Sequence, residues 1–265
     1  MIFRKSAIAL SLCLGLVAAA SATDNLPDWT PSSGVRFDPS GWVSLTRSTE
    51  LASTANIQTT RTFSPADTIK VEFDYISWGG INVGADGLAI YLFDADEPNA
   101  GTGGYHFSAL GYCRMTGAYL GIGLDEYGNF SHSCEGAVDG TMVRNSATIR
   151  GPQSAHYTFM KNFPVGESLD CEGARCRTRE EAIAPAGGGV KRVVATLTPR
   201  RGTPGYSIKL SINGRSVIDG EDYYYPAPAA MRLGISASNG AYSNHHEIRN
   251  VKIGTSTGVR MCKKI

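Results

Sequence analysis

Between Ile69 and Tyr75 the apolar residues Ile69, Val71, Phe73 and Tyr75 interleave with Lys70, Glu72 and Asp74. Side chains of a strand alternate between faces, so this period of two commits the segment to a half-buried strand. Leu88–Phe93 is a continuous apolar run, as expected of a strand buried on both faces. Further strands are predicted over Tyr119–Leu124, Ala147–Arg150, Val193–Leu197, Met231–Ala237 and Glu247–Ile253. Tyr206–Ile212 and Arg215–Ile218 flank Asn213-Gly214, the dipeptide of a two-residue hairpin turn. Helix-period patterning is poor almost everywhere, and 31 glycines punctuate the chain. Short strands joined by Gly, Pro and Asn turns predict an all-β sandwich of antiparallel sheets. No internal repeat is visible, and the polar, Gly-rich stretch 171–189 reads as a long loop.

The first residues bear on where such a sandwich works. Arg4 and Lys5 precede an apolar run, Ala7–Ala18, and the small-residue pattern Ala20-Ser21-Ala22. This is the form of a cleaved signal peptide, 1–22, and it implies a secreted or periplasmic protein. The run is short of the about 20 residues that cross a bilayer, so no membrane span is expected in the mature chain. Residues 23–33 read as a leader, 34–256 as the domain and 257–265 as a basic tail. Taking Arg4 and Lys5 from the 25 basic residues leaves 23 against 24 acidic ones, a net charge of −1. With no basic stripe, nucleic acid is not an expected partner. In an exported chain, disulfides are the default state of cysteine. Cys171 and Cys176 lie close together in Asp-Cys-Glu-Gly-Ala-Arg-Cys and are predicted to pair, as are Cys113 and Cys134. Cys262 is then odd, and no Cys/His set has zinc spacing.

Three segments carry the chemistry. Gly84-Ala85-Asp86-Gly87 directly precedes the buried run, and Gly101-Thr102-Gly103-Gly104-Tyr105 is a flexible loop. Leu124-Asp125-Glu126-Tyr127-Gly128-Asn129 follows a Gly-rich strand. Asp125 and Asn129 offer hard oxygens, with the Tyr127 carbonyl between them. Such donors suit Ca²⁺, which takes about 6–8 oxygens. Glu135, six residues after Asn129, is a candidate further ligand. Alone, the segment also reads as a polar turn.

Together the three segments resemble the L-type lectins, the family of legume lectins and their bacterial relatives. A fourth match is Leu233 to Ile248, with Ala241 and Tyr242 at positions that tune sugar choice in the family. The phrases GIGLDEYGNFS and SATIRGPQ resemble the bacterial branch, and the likeness runs from about residue 34 to 256. It implies a concanavalin-like jelly roll that binds a glycan or glycoconjugate with the help of calcium, without a catalytic centre. Asp86 would accept sugar hydroxyls, the Gly104 N–H and the Asn129 amide would donate, and the Tyr127 ring would stack. Asp125, the Tyr127 carbonyl and Asn129 would hold calcium, and Ala85–Asp86 would be a cis peptide. The family's second, transition metal is not expected. Its carboxylate position is Gly123 here, and Asp139 stands near the place of its histidine. Family members often dimerise sheet to sheet, so a homodimer is an allowed partner arrangement.

Other residues have plainer readings. His245 and His246 are adjacent on a predicted strand and face opposite sides, so they do not share a site. Trp29, Trp42 and Trp78 are assigned to packing, and Asp219, Glu221 and Asp222 to a solvated turn. A glycosidase needs two carboxylates about 5–10 Å apart facing a groove. Glu72 and Asp74 alternate but lack a third acid. A glycan-active enzyme and a sugar-blind adhesion or structural module on the same fold are the alternative readings.

Overall fold

In the computed structural model, which describes residues 28–80, 83–134, 137–171 and 176–257, the alternation at Ile69–Tyr75 builds strand β5 (Asp67–Trp78). Its apolar residues point inward and are buried. It is the central strand of a seven-stranded antiparallel sheet, the back sheet. Beside it lie β12 (Lys191–Pro199), β13 (Tyr206–Ile212) and β14 (Arg215–Tyr223). On its other side are β16 (His245–Thr257), β3 (Val43–Thr46) and β2 (Arg36–Phe37). The front sheet also has seven strands. Its order is β1 (Trp29–Pro31), β4 (Thr54–Thr59), β15 (Met231–Ser238), β6 (Gly87–Asp94), β7 (Ala118–Asp125), β10 (Ser146–Arg150) and β11 (Phe159–Pro164). A short pair, β8 (Ser133–Cys134) and β9 (Ala137–Val138), stands apart.

The two sheets enclose one large apolar core, to which β6 contributes Leu88, Ile90 and Leu92. Its other face is buried too, and the reason is local. The 105–116 loop folds over the front sheet, and Leu110, Tyr112 and Met115 cover Ala89, Tyr91 and Phe93. The Cys113–Cys134 disulfide ties this cover to β8, and Cys171–Cys176 is also formed. Cys113 and Cys134 enclose a separation of 21 residues, so opening the link restores freedom to the unfolded chain. Cys113→Ser with Cys134→Ser is expected to cost about 3 kcal/mol. Urea unfolding of the double variant checks this, and an unchanged midpoint would refute it.

Several boundaries differ from the sequence reading. Trp29–Pro31, placed in the leader 23–33, pairs with β4, so the folded domain begins at least as early as Trp29. The 171–189 loop contains a short helix, α1 (Arg179–Ile183). Thr178 and Glu181 form its capping box, which satisfies N–H groups at its start. Asp219, Glu221 and Asp222 belong to edge strand β14 rather than a loop, and pair with Lys209, Lys161 and Arg200. The expected signal peptide 1–22, Glu135 and Cys262 lie outside the described residues. Among the described residues no helix is long and apolar enough to cross a membrane.

Candidate functional site

Gly87, the first residue of β6, pairs with Asp125, the last of β7, so the segments around Asp86 and Asn129 emerge at the same end of the front sheet. The Glu126 and Tyr127 N–H groups donate to the Asp86 carbonyl (3.0 and 3.3 Å), and the Asp86 N–H donates to Ser238 (2.9 Å). The turn is thereby clamped between β7 and β15, and the Ala85–Asp86 peptide is cis. Asp86 Oδ1 accepts from the Asn129 amide at 3.2 Å. Asp86 Oδ2 and Asn129 Oδ1 are buried without a hydrogen-bond partner. Burial pushes the Asp86 carboxyl up to about 7, against the Asn129 amide and the nearby His246. Two neighbouring side chains thus each present an unpaired acceptor, a costly arrangement that calls for donors.

Above them, the Tyr127 and Tyr242 rings lie 5.6 Å apart, and the Arg144 guanidinium stands 5.7 Å from the Tyr127 ring. Tyr242 and Ala241 are exposed, and Tyr242 and Tyr127 form an aromatic rim. Tyr127 therefore offers a paired rather than a lone ring. Phe107 and Asp86 both pack against Gly240. Gly104 approaches the Gly111 carbonyl so closely that a Cβ would collide, which is why glycine is needed there. It shares no hydrogen bond with Asp86 or Asn129 among the described residues. The structure thus gathers Asp86, Asn129, Tyr127 and Tyr242. It places Ala241 at the rim and Gly104 on the covering loop.

The expected calcium ligands are arranged differently. Asp125 is fully buried, and its Oδ1 accepts from the Gly128 N–H at 2.7 Å. Its Oδ2 accepts from Phe130 and Ser131 N–H groups at 2.8 and 3.2 Å. Burial pushes this carboxyl up to about 7, against those three bonds. A carboxylate has about four lone-pair sites, so little of Asp125 is left for a cation. What remains is that site, Asn129 Oδ1 and the Tyr127 carbonyl, about half of a calcium shell. No group of three or more His, Cys, Asp or Glu fit for a metal exists among the described residues. Asp139 is engaged by the buried Arg150, which bonds it at 3.0 and 3.1 Å and also donates to the Phe130 and Tyr157 carbonyls. The described residues thus offer less than a full calcium shell. Of the three residues assigned as its ligands, Asp125, Tyr127 and Asn129, the first closes its own turn.

Sequence reasoning missed Glu126. It is fully buried, and its carboxylate accepts from the Tyr75 hydroxyl, from Ser77 Oγ (2.9 Å) and from Asn244 Nδ2 (2.8 Å). His246 Nε2 lies 3.3 Å away, and His246 Nδ1 meets Thr46 Oγ1 at 2.6 Å. Burial alone would raise the Glu126 carboxyl, but His246, Tyr75 and Asn244 together hold it below its ordinary value. The two histidines do face opposite sides: His245 stacks on Trp78 at 4.0 Å while His246 points inward. A polar Asn244 and His246 two apart, ahead of inward Ile248, was the available signal. Glu72 and Asp74, the alternating acids, are locked in ion pairs with Lys70, Arg192 and Arg249.

No protein-family model and no curated protein matches the chain. Solved structures do resemble it. The metal-free carbohydrate recognition domain of Emp46p is 16% identical, with TM-score 0.58 over 89% of this chain and 90% of that one. Basic winged bean lectin with Tn-antigen is 14% identical, with TM-score 0.61 over 88% and 94%. The exoplasmic/lumenal domain of VIP36 in a Ca²⁺/Man3GlcNAc-bound form is 15% identical, with TM-score 0.56 over 90% and 88%. These neighbours lend no support to a bacterial branch. At such identities the likeness shows the fold, and that fold is the L-type lectin sandwich.

Proposed function

We propose that the chain is a carbohydrate-binding lectin whose combining site is built from Asp86, Asn129, Tyr127 and Tyr242. The observation that carries this reading is the pair of unpaired acceptors, Asp86 Oδ2 and Asn129 Oδ1, beneath an aromatic rim. Sugars supply what such a site lacks. Their hydroxyls donate, and their C–H faces stack on aromatic rings. Glycan-bound neighbours such as VIP36 support the assignment. Export, with a role in adhesion or glycan recognition, completes it, and two disulfides support export.

A glycan array of the mature chain tests the proposal, with at least one oligosaccharide expected to bind. Tyr127→Ala is expected to lower affinity for that glycan about tenfold, the scale of one aromatic contact. Parental affinity in this variant would remove the rim from the site. Turnover of an oligosaccharide would instead favour the enzyme, and silence on both counts the sugar-blind module.

A further inference from the structure

We propose that Glu126 is the positioning residue that keeps the combining site assembled, in the place that the family resemblance gives to calcium. The affinity arm of its test rests on the lectin reading; the stability and exchange arms do not.

Three segments form the site: the turn at 84–86, the turn at 125–129 and the loop at 239–244. Glu126 holds all three. Its own N–H, with that of Tyr127, fixes the Asp86 carbonyl. Its carboxylate accepts from Asn244, and Asn244 nests directly under the first turn. A Cβ on Gly84 would collide with the Asn244 amide nitrogen and reach Asp170 Oδ2 at 2.5 Å. The Asn244 N–H donates to Asn239 Oδ1 at 3.2 Å, and the Asn239 amide donates to the Arg47 and Glu50 carbonyls at 2.7 and 3.0 Å. The third segment is closed in this way around its own ends. From the back sheet, Tyr75, Ser77 and His246 complete the ring around the carboxylate.

A bound cation organises loops by drawing oxygen atoms to one positive centre. Here the centre is negative and the surrounding groups are donors: hydroxyls, an amide and an imidazole. Asp125 repeats the inversion on a smaller scale, gathering three backbone N–H groups where ligands to a metal were expected. Such a fully satisfied buried network rigidifies its surroundings without a bound ion.

The test uses the mature chain in EDTA and in calcium, with melting temperature, amide hydrogen exchange and glycan affinity as readouts. Calcium is expected to change none of them. Glu126→Gln keeps the shape but removes the charge and presents an N–H to Asn244. It is expected to speed exchange at the Glu126 and Tyr127 amides and weaken glycan binding about tenfold or more. Asn244→Ser removes one arm while leaving the carboxylate in place. It is expected to act in the same direction with an unchanged circular dichroism spectrum, and it decides the matter if Glu126→Gln does not fold. A melting temperature that rises with stoichiometric calcium would overturn the proposal. So would calcium-slowed exchange at those two amides, or parental exchange and affinity in both variants. If no glycan binds the parent, the lectin reading fails, while melting and exchange still decide this one.

Discussion

Arg150→Met is expected to destabilise the domain by about 3–5 kcal/mol, the scale for breaking a buried ion pair from one side. The guanidinium is completely buried and bonds four groups: both Asp139 oxygens and the Phe130 and Tyr157 carbonyls. Removing it strands two carbonyls and a carboxylate that is only partly open to water. For a domain of this size the loss corresponds to a fall of roughly 6–20 °C in melting temperature. Adding Asp139→Asn should restore part of it, because the stranded charge is then gone. A fall of less than about 2 °C in the single variant would show that the pair contributes little.

Asp86→Ala is expected to abolish measurable glycan binding while leaving the fold in place. It deletes the acceptor with the unpaired oxygen and leaves the Asn129 amide without its partner. A hydrogen bond to a charged group is worth about 1.5–3 kcal/mol, roughly ten- to 150-fold in affinity. Against the modest affinity of one sugar site, that loss reads as silence in isothermal titration. Circular dichroism and the melting curve should stay near those of the parent, since the backbone bonds at Glu126, Tyr127 and Ser238 remain available. Undiminished binding in this variant would mean that the combining site lies elsewhere on the fold.

What the sequence displayed depended on whether a signal was local. The alternation at Ile69–Tyr75 and the hairpin at Asn213-Gly214 each state their structure within a few residues, and both strands and turn are present. β4 went unread because its inward residues are Ala55, Ile57 and Thr59, two of them too small or polar to mark an apolar face. The capping box of α1 was legible in Thr178-Arg179-Glu180-Glu181, but so short a helix left no periodicity beside it. At the site, the motif positions Asp86 and Asn129 were found and do meet. The three backbone N–H bonds to Asp125 were not legible, since which way a carboxylate faces depends on the path of the next few residues. Glu126 was invisible for a different reason. Its partners Tyr75, Ser77, Asn244 and His246 are distant in sequence, and only the stacking of one sheet on the other brings them together.

The opposed faces of β16 have a consequence for assembly of the sandwich. His246 and Ile248 point inward, whereas His245 and Glu247 point outward, where Glu247 meets Arg179 and the Trp78 indole N–H. A slip of one residue reverses every side chain of a strand. A misalignment that carried Glu247 inward would set a second carboxylate beside Glu126, with the imidazole withdrawn and no donor to replace it. Arg179 would lose its bidentate partner on the opposite side at the same moment. Charge therefore acts as a proofreader for the pairing of β16 with β5: apolar residues alone would tolerate a shifted strand at modest cost, and this pattern penalises the error on both faces at once.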